Sequence, residues 1–232
     1  GWLEPGRHAS LRFHAGVAME DLPFTEASFD LVTSQYGFEY ARHDAALAEA
    51  LRVLRPGGRL ALVMHHADSV LVRVGRAELQ NQQRLLAGNG LLAAAADVLP
   101  WIARARAGQD PSGHAEALAA REAYNAAIQA LASDIAASSA PDLLLEAREW
   151  VNRLLASVGP DPARAAAALA AYREGLAAAG LRTAELIEHA LDAVEAKALA
   201  DGIERARPQG RVRLAPLSQA EGLLGWSLRL DP

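Results

Sequence analysis

Three residues combine a titratable side chain with a position suited to proton transfer: Glu39, His65 and His66. Glu39 lies in Tyr36-Gly-Phe-Glu-Tyr, just beyond the compact apolar run Phe29–Ser34. A carboxylate placed there is either a base or hydrogen-bond partner for a ligand, or an exposed or helix-capping group. Loops at such an edge often carry function. His65 and His66 close a second apolar run that begins at Arg59. An imidazole titrates near neutral pH, so one of them, with His66 the candidate, suits a general base. Neighbouring strand residues point to opposite faces, so the two histidines do not act as a pair. The bland alternative puts one under a helix and the other in solvent. His43, His65, His66 and Asp68 have no known ligand spacing, and no metal is expected. The chain contains no cysteine, which excludes a disulfide framework, a thiolate cluster and a cysteine nucleophile.

The elements that must position these groups follow from composition and periodicity. The 232 residues are 51% hydrophobic and 22% charged, with 18 Gly and 11 Pro. Those are globular proportions in a chain long enough to bury a core. A net charge of -5 argues against a nucleic-acid partner, which normally needs a basic face. The longest apolar stretch, Leu91 to Ala103, is interrupted by Asp97 and Pro100 and is short for a membrane span. No membrane partner and a cytoplasmic location are the expectations. A homo-oligomer stays open.

The chain divides into three zones. The first holds short apolar runs, Leu11–Val17, Phe29–Ser34 and Arg59–His65, whose length and flanks favour buried strands. Between the last two, Ala46, Leu47, Ala50, Leu51 and Leu54 recur at helical spacing, and Pro56-Gly57-Gly58 ends that helix. Strand, helix, tight turn and strand make a βαβ unit and imply a parallel sheet. The second zone, from Ser69 to about Ala206, is rich in strong helix formers. Its breaks are expected at Gly88–Gly90, Pro100, Gly108–Gly113, Ser138–Pro141 and Gly159–Pro162, with a weaker one at Gly180. The third zone reads as two strands, an antiparallel pair returning to the first sheet. Gly88-Asn-Gly-Leu-Leu-Ala fits a loose dinucleotide pattern, but no strand precedes it, so it reads as a helix break.

Two stretches carry a further pattern: Ala18-Met-Glu-Asp-Leu-Pro-Phe with Ser28-Phe-Asp-Leu-Val-Thr-Ser-Gln, then Glu49-Ala-Leu-Arg-Val-Leu-Arg-Pro-Gly-Gly-Arg-Leu-Ala-Leu-Val. In that order they closely resemble class I S-adenosylmethionine-dependent methyltransferases of the small-molecule type. Leu224-Gly-Trp-Ser-Leu-Arg-Leu looks like that family's last strand. The resemblance covers about Phe13 to His65 and the C-terminal strand, and is absent from the central helices. It implies an α/β fold, a partial Rossmann-like class I methyltransferase sheet carrying a large all-helical insertion. The implied division is a core over 1–68, a helical insertion over 69–180 as a possible substrate lid, and a last core helix with a strand pair over 181–232.

The resemblance also implies S-adenosyl-L-methionine as cofactor and a small-molecule substrate. The segment matching Ala18, Met19 and Glu20 contacts the adenine in the family, although an acidic residue often stands where Ala18 is. Residues matching Ser34, Gln35 and Tyr36 lie near the methionine part of the cofactor. Methyl transfer is an in-line displacement served by proximity and, for hydroxyl or amine acceptors, by a base such as Glu39 or His66. The family's glycine-rich loop and ribose-binding carboxylate should precede Phe13, and no strand with such a turn is legible there. The chain is thus expected to begin after the second strand of the fold, and to bind S-adenosylhomocysteine weakly or not at all. The other reading is a non-catalytic helical interaction or regulatory module on a degenerate methyltransferase core. Trp101 and Trp150 read as packing residues of the helical block.

Overall fold

A computed structural model of the chain describes residues 10–220 and 222–232. The expectations about a loop or strand within residues 1–9 fall outside them. The chain splits into two compact units, one formed by residues 1–69 and 189–232, the other by Val70–Glu188. The first is α/β and the second is helical.

The α/β unit is built on β1 (Phe29–Gln35), α1 (His43–Val53) and β2 (Leu54–His65). The strands pair in parallel, so these elements form the expected βαβ crossover. After α7 (Ala193–Ala206) come β3 (Arg211–Gln219) and β4 (Gly222–Asp231), an antiparallel pair. Strand β4 also pairs antiparallel with β2, giving the sheet order β1-β2-β4-β3. Period-two alternation sends Leu60, Leu62 and Met64 of β2 and Trp226, Leu228 and Leu230 of β4 into one core. There they meet Ala46, Leu47, Ala50 and Leu51 of α1 and Leu199, Ala200 and Ile203 of α7. The helical spacing read in the sequence is thus the stripe that α1 buries.

Pro56-Gly57-Gly58 does not end the helix as a turn ahead of the strand. It lies inside β2, where residue 29 pairs with 54 but residue 31 pairs with 59. The surplus residues loop out as a bulge, and Gly57 supplies the positive φ of 74° that this requires. Leu11–Val17 is not a strand either: it runs without regular structure, with Leu11 and Phe13 exposed. Its apolar run lacks a paired neighbour among the described residues, and composition alone does not make a strand.

The helical unit contains α2 (Val70–Leu86), α3 (Leu91–Arg106), α4 (Ala115–Ala137), α5 (Asp142–Ser157) and most of α6 (Ala163–His189). Its core gathers Leu85, Leu92, Leu99, Leu131, Leu144, Val151 and Leu169. The breaks at 88–90, 108–113, 138–141 and 159–162 separate successive helices, and the loose glycine pattern at 88–93 falls at the α2–α3 junction. Two expected breaks are absent. Helix α3 continues through Pro100, losing one backbone bond, with Val98, Leu99 and Ala103 buried around it. Helix α6 continues through Gly180, so the helical unit extends to residue 188 rather than ending at 180. Gly180 sits where the buried Gln82 amide approaches, leaving no room for a Cβ. The stretch Val70–Arg106 is long and apolar enough to cross a membrane, with a window of mean hydropathy 1.5. It is divided between α2 and α3, and the apolar residues Leu91, Leu92, Ala95 and Leu99 belong to the helical core.

Candidate functional site

The carboxyl ends of β1 and β2 lie side by side because the two strands run parallel. Ligands of open α/β sheets bind in the crevice beyond such ends. Ser34, Gln35 and Tyr36 stand there on β1 and just past it, and His65 ends β2. Tyr36 turns the chain at a φ of 53°, left-handed for a tyrosine, while its N–H donates to Val63 O at 2.7 Å. Such a conformation costs on the order of 1–3 kcal/mol and tends to cluster at functional sites. The next residues form a short 3-10 turn, Phe38–Tyr40, which inserts Phe38 and Glu39 into the unit.

Glu39 is fully buried and is neither an exposed nor a capping carboxylate. Its Oε1 accepts the His65 backbone N–H at 2.9 Å and lies 2.6 Å from His65 Nδ1. Burial pushes the Glu39 carboxyl up, and the hydrogen bonds from the His65 side chain and the backbone more than reverse this, leaving it below its usual value. Oε2 is the one buried side-chain polar atom without a partner among the described residues. The His65 ring stacks on Tyr36 at 4.4 Å between centroids and meets the edge of Tyr40 at 6.4 Å.

The structure brings Glu39 to His65 and not to His66. His66 stacks on Trp226 at 4.4 Å, and its Nδ1 accepts the Asp68 N–H at 2.9 Å. The opposite-faces argument therefore describes the pair, but the buried imidazole beside the carboxylate is the one the sequence reading passed over. The available signal was topological: Glu39 lies just beyond the end of β1 and His65 at the end of its parallel neighbour β2.

The loop carrying Ala18, Met19 and Glu20 is fixed to α1. Ala18 is exposed, Met19 packs against the core, and Glu20 Oε1 accepts the Arg42 N–H at 2.8 Å. That bond holds the Glu20 carboxyl below its usual value. Farther along, Glu49 Oε2 accepts the Leu22 N–H at 2.8 Å, and Arg52 donates to Phe24 O at 2.8 Å and Leu22 O at 3.0 Å. Glu49 and Arg52 also pair at 2.7 Å. Together they clamp the loop that leads into β1. Asp30 forms an exposed pair with Arg55 at 2.6 Å. A separate cavity of about 500 Å³, lined by Arg55, Gly57, Arg207 and Leu230 among others, opens at the other end of β2, away from His65.

In the helical unit, Trp150 stacks on Tyr172 at 4.1 Å and Arg104 sits 4.6 Å over Trp101. Both tryptophans pack at the margin of the helical core. Buried Asn81 donates to Ser138 Oγ and Ala140 O, and Gln82 donates to Leu176 O, so these amides are engaged in structural bonds.

Residues 4–62 match the family described as a methyltransferase domain. That part of the chain is similar to class I S-adenosylmethionine-dependent methyltransferase domains. Over 58 residues the chain is 48% identical to a demethylmenaquinone methyltransferase of Deinococcus radiodurans, covering 25% of this chain and 24% of that protein. It is 56% identical over 58 residues to the ubiquinone/menaquinone biosynthesis C-methyltransferase UbiE of Brucella anthropi, covering 25% and 22%. A human mitochondrial 2-methoxy-6-polyprenyl-1,4-benzoquinol methylase is 47% identical over 72 residues, covering 30% and 22%. The matches thus span about a quarter of the curated relatives' length. No solved structure matches the chain.

The domain implies S-adenosylmethionine as methyl donor. The described residues fit the cationic part of such a donor. The buried Glu39 carboxylate provides negative charge and an unpartnered oxygen at the strand ends, with the half-buried Ser34 and Tyr36 close by in the chain.

Proposed function

We propose that the protein is an S-adenosylmethionine-dependent methyltransferase acting on a small molecule. The observation that carries this is the coincidence of the matched segment with the end of β1, which bears Ser34 and Gln35 and, just beyond it, Tyr36 and the buried Glu39. Ala18, Met19 and Glu20 would serve the adenine side, and Ser34, Gln35 and Tyr36 the methionine side. The bound donor would supply a methyl group activated by positive sulfur. The chain's own part is orientation. The bond from Glu20 to Arg42 and the Glu49–Arg52 clamp fix the loop, and the Tyr36 turn fixes the edge of β1. The relatives' names make a quinol ring the first acceptor to test.

Calorimetric titration of the intact protein with S-adenosylhomocysteine tests the reading. Micromolar binding that is weakened at least tenfold by Met19→Asp supports it. Binding that Met19→Asp leaves unchanged counts against it.

A further inference from the structure

Leu60 and Leu62 of β2, Leu228 and Leu230 of β4, and Val212 and Leu214 of β3 turn one face of the sheet into the core of the α/β unit. Their strand neighbours point the other way. On that second face Arg59, Arg211, Arg213 and Arg229 are exposed, and Ala61, Val63 and Ser227 are half-buried. The register sets Arg213 directly opposite Arg229. Like charges so placed weaken a sheet. Asp231, 3.8 Å from Arg59, is the one carboxylate on this face among the described residues. Arg211, Arg213 and Arg229 make no ion pair among the described residues. Charges on an edge strand block unwanted pairing, which accounts for Arg211 and Arg213 of β3. It does not account for Arg59 and Arg229, which stand on the inner strands β2 and β4. The chain as a whole carries a net charge of -5, so its acidic excess lies on other surfaces.

One of those surfaces is a stripe on α6. Glu174, Ala178, Leu181, Glu185 and Glu188 follow one another at alternating four- and three-residue steps, so they share one side of the helix. All five are exposed, while Leu169, Leu176 and Gly180 are buried on the opposite side. Leu181, at the middle of the stripe, is 70% exposed. Along the helix, Glu185 and Glu188 stand about 6 and 10 Å beyond Leu181. On the sheet, the Arg213–Arg229 pair and then Arg59 with Arg211 stand about 7 and 13 Å from the small-residue row Val63, Ser227 and Ala215. A helix laid along the strands therefore sets Leu181 over that row and each of the two glutamates near a pair of arginines.

We infer that the arginine face of the sheet receives the α6 stripe of a second copy of this chain. The two surfaces differ, so the contact is heterologous and every copy offers both halves of it. Its attraction is between exposed opposite charges, which salt screens. The contact stands independently of the methyl-transfer reading, because neither surface includes the residues at the end of β1.

The test is analytical ultracentrifugation of the intact protein at high micromolar concentration. At low ionic strength the wild type is expected to show a mass of at least twice the 24.6 kDa chain, falling to that of one chain in molar salt. Two charge reversals probe the two surfaces: Arg213→Glu with Arg229→Glu, and Glu185→Arg with Glu188→Arg. Each double variant alone is expected to stay monomeric, because its two surfaces then carry the same sign. Mixed in equal amounts, the two variants are expected to associate again, because each reversed surface then meets a reversed partner. All four positions are exposed, and circular dichroism checks that the variants keep their fold. A wild type that is monomeric at low ionic strength overturns the contact without reliance on any variant, as does an assembly that molar salt leaves intact. So does a folded double variant that still associates, or a folded pair that stays monomeric on mixing. A monomeric wild type that instead sediments with phosphatidylglycerol vesicles overturns the second copy in favour of an anionic lipid surface.

Discussion

The two units handle buried polarity in opposite ways. In the α/β unit, polar side chains are sealed beside parallel strand ends, and one carboxylate oxygen is left without a partner. In the helical unit the buried amides of Asn81 and Gln82 bond to backbone carbonyls or to Ser138, which is what structure alone requires. The family match falls on the first unit and stops at residue 62. Unfinished hydrogen bonding and backbone strain at Tyr36 thus coincide with the recognisable chemistry. The helical unit holds its core of leucine and alanine by packing.

That contrast is broken most directly through the two cores. Leu228 of β4 and Leu144 of α5 are both fully buried. Leu228→Ala and Leu144→Ala should each cost about 2–5 kcal/mol, the range for deleting a buried leucine. Native-state hydrogen exchange should show the loss in the α/β unit for the first and in the helical unit for the second. Equal loss in both units from either substitution would mean a single cooperative block, and the comparison would fail.

A second way to probe the α/β unit is the start of α7. Asp192 caps α7 with its side chain accepting from Val194 and Glu195 N–H at 2.8 Å, while Glu195 accepts the Asp192 N–H at 2.9 Å. Helix α1 of the same unit, like α3, α4 and α5 of the helical unit, starts without a side-chain cap bond. Asp192→Ala should cost about 1 kcal/mol in chemical denaturation of the α/β unit. A negligible cost would show that α7 is held by Leu199 and Ile203 in the core rather than by its first turn.

What was legible in the sequence follows the same division. The βαβ unit, the antiparallel return of β4 and four of the helix breaks came from local patterns, because periodicity and glycine–proline punctuation are local. The extended run at 11–17, the continuity of α6 at Gly180 and the bulge at Pro56–Gly58 were set by partners distant in the chain. The Glu39–His65 contact spans 26 residues and was invisible for the same reason. The residue types at the strand ends were readable, but which histidine faced the carboxylate depended on where β2 stops and the chain turns toward Leu191.

The smallest expected effect concerns the loop clamp. Hydrogen bonding with Arg52, and then with the Leu22 N–H, holds the Glu49 carboxyl down to about 2, against a usual value of 4.5. Its folded value lies below its unfolded one, so the stabilisation is complete above pH 4.5 and is lost as pH falls toward 2. The pair lies near the surface, so solvent screens it and the global stability should change little. The local effect should still be readable: the Leu22 amide resonance should titrate near pH 2 in the wild type and lose that transition in Glu49→Gln. Helical-unit amides should show no matching midpoint. A Leu22 midpoint near 4.5 instead would mean that Arg52 does not hold the carboxylate, and that the loop bearing Met19 and Glu20 is fixed by Glu20 and Arg42 alone.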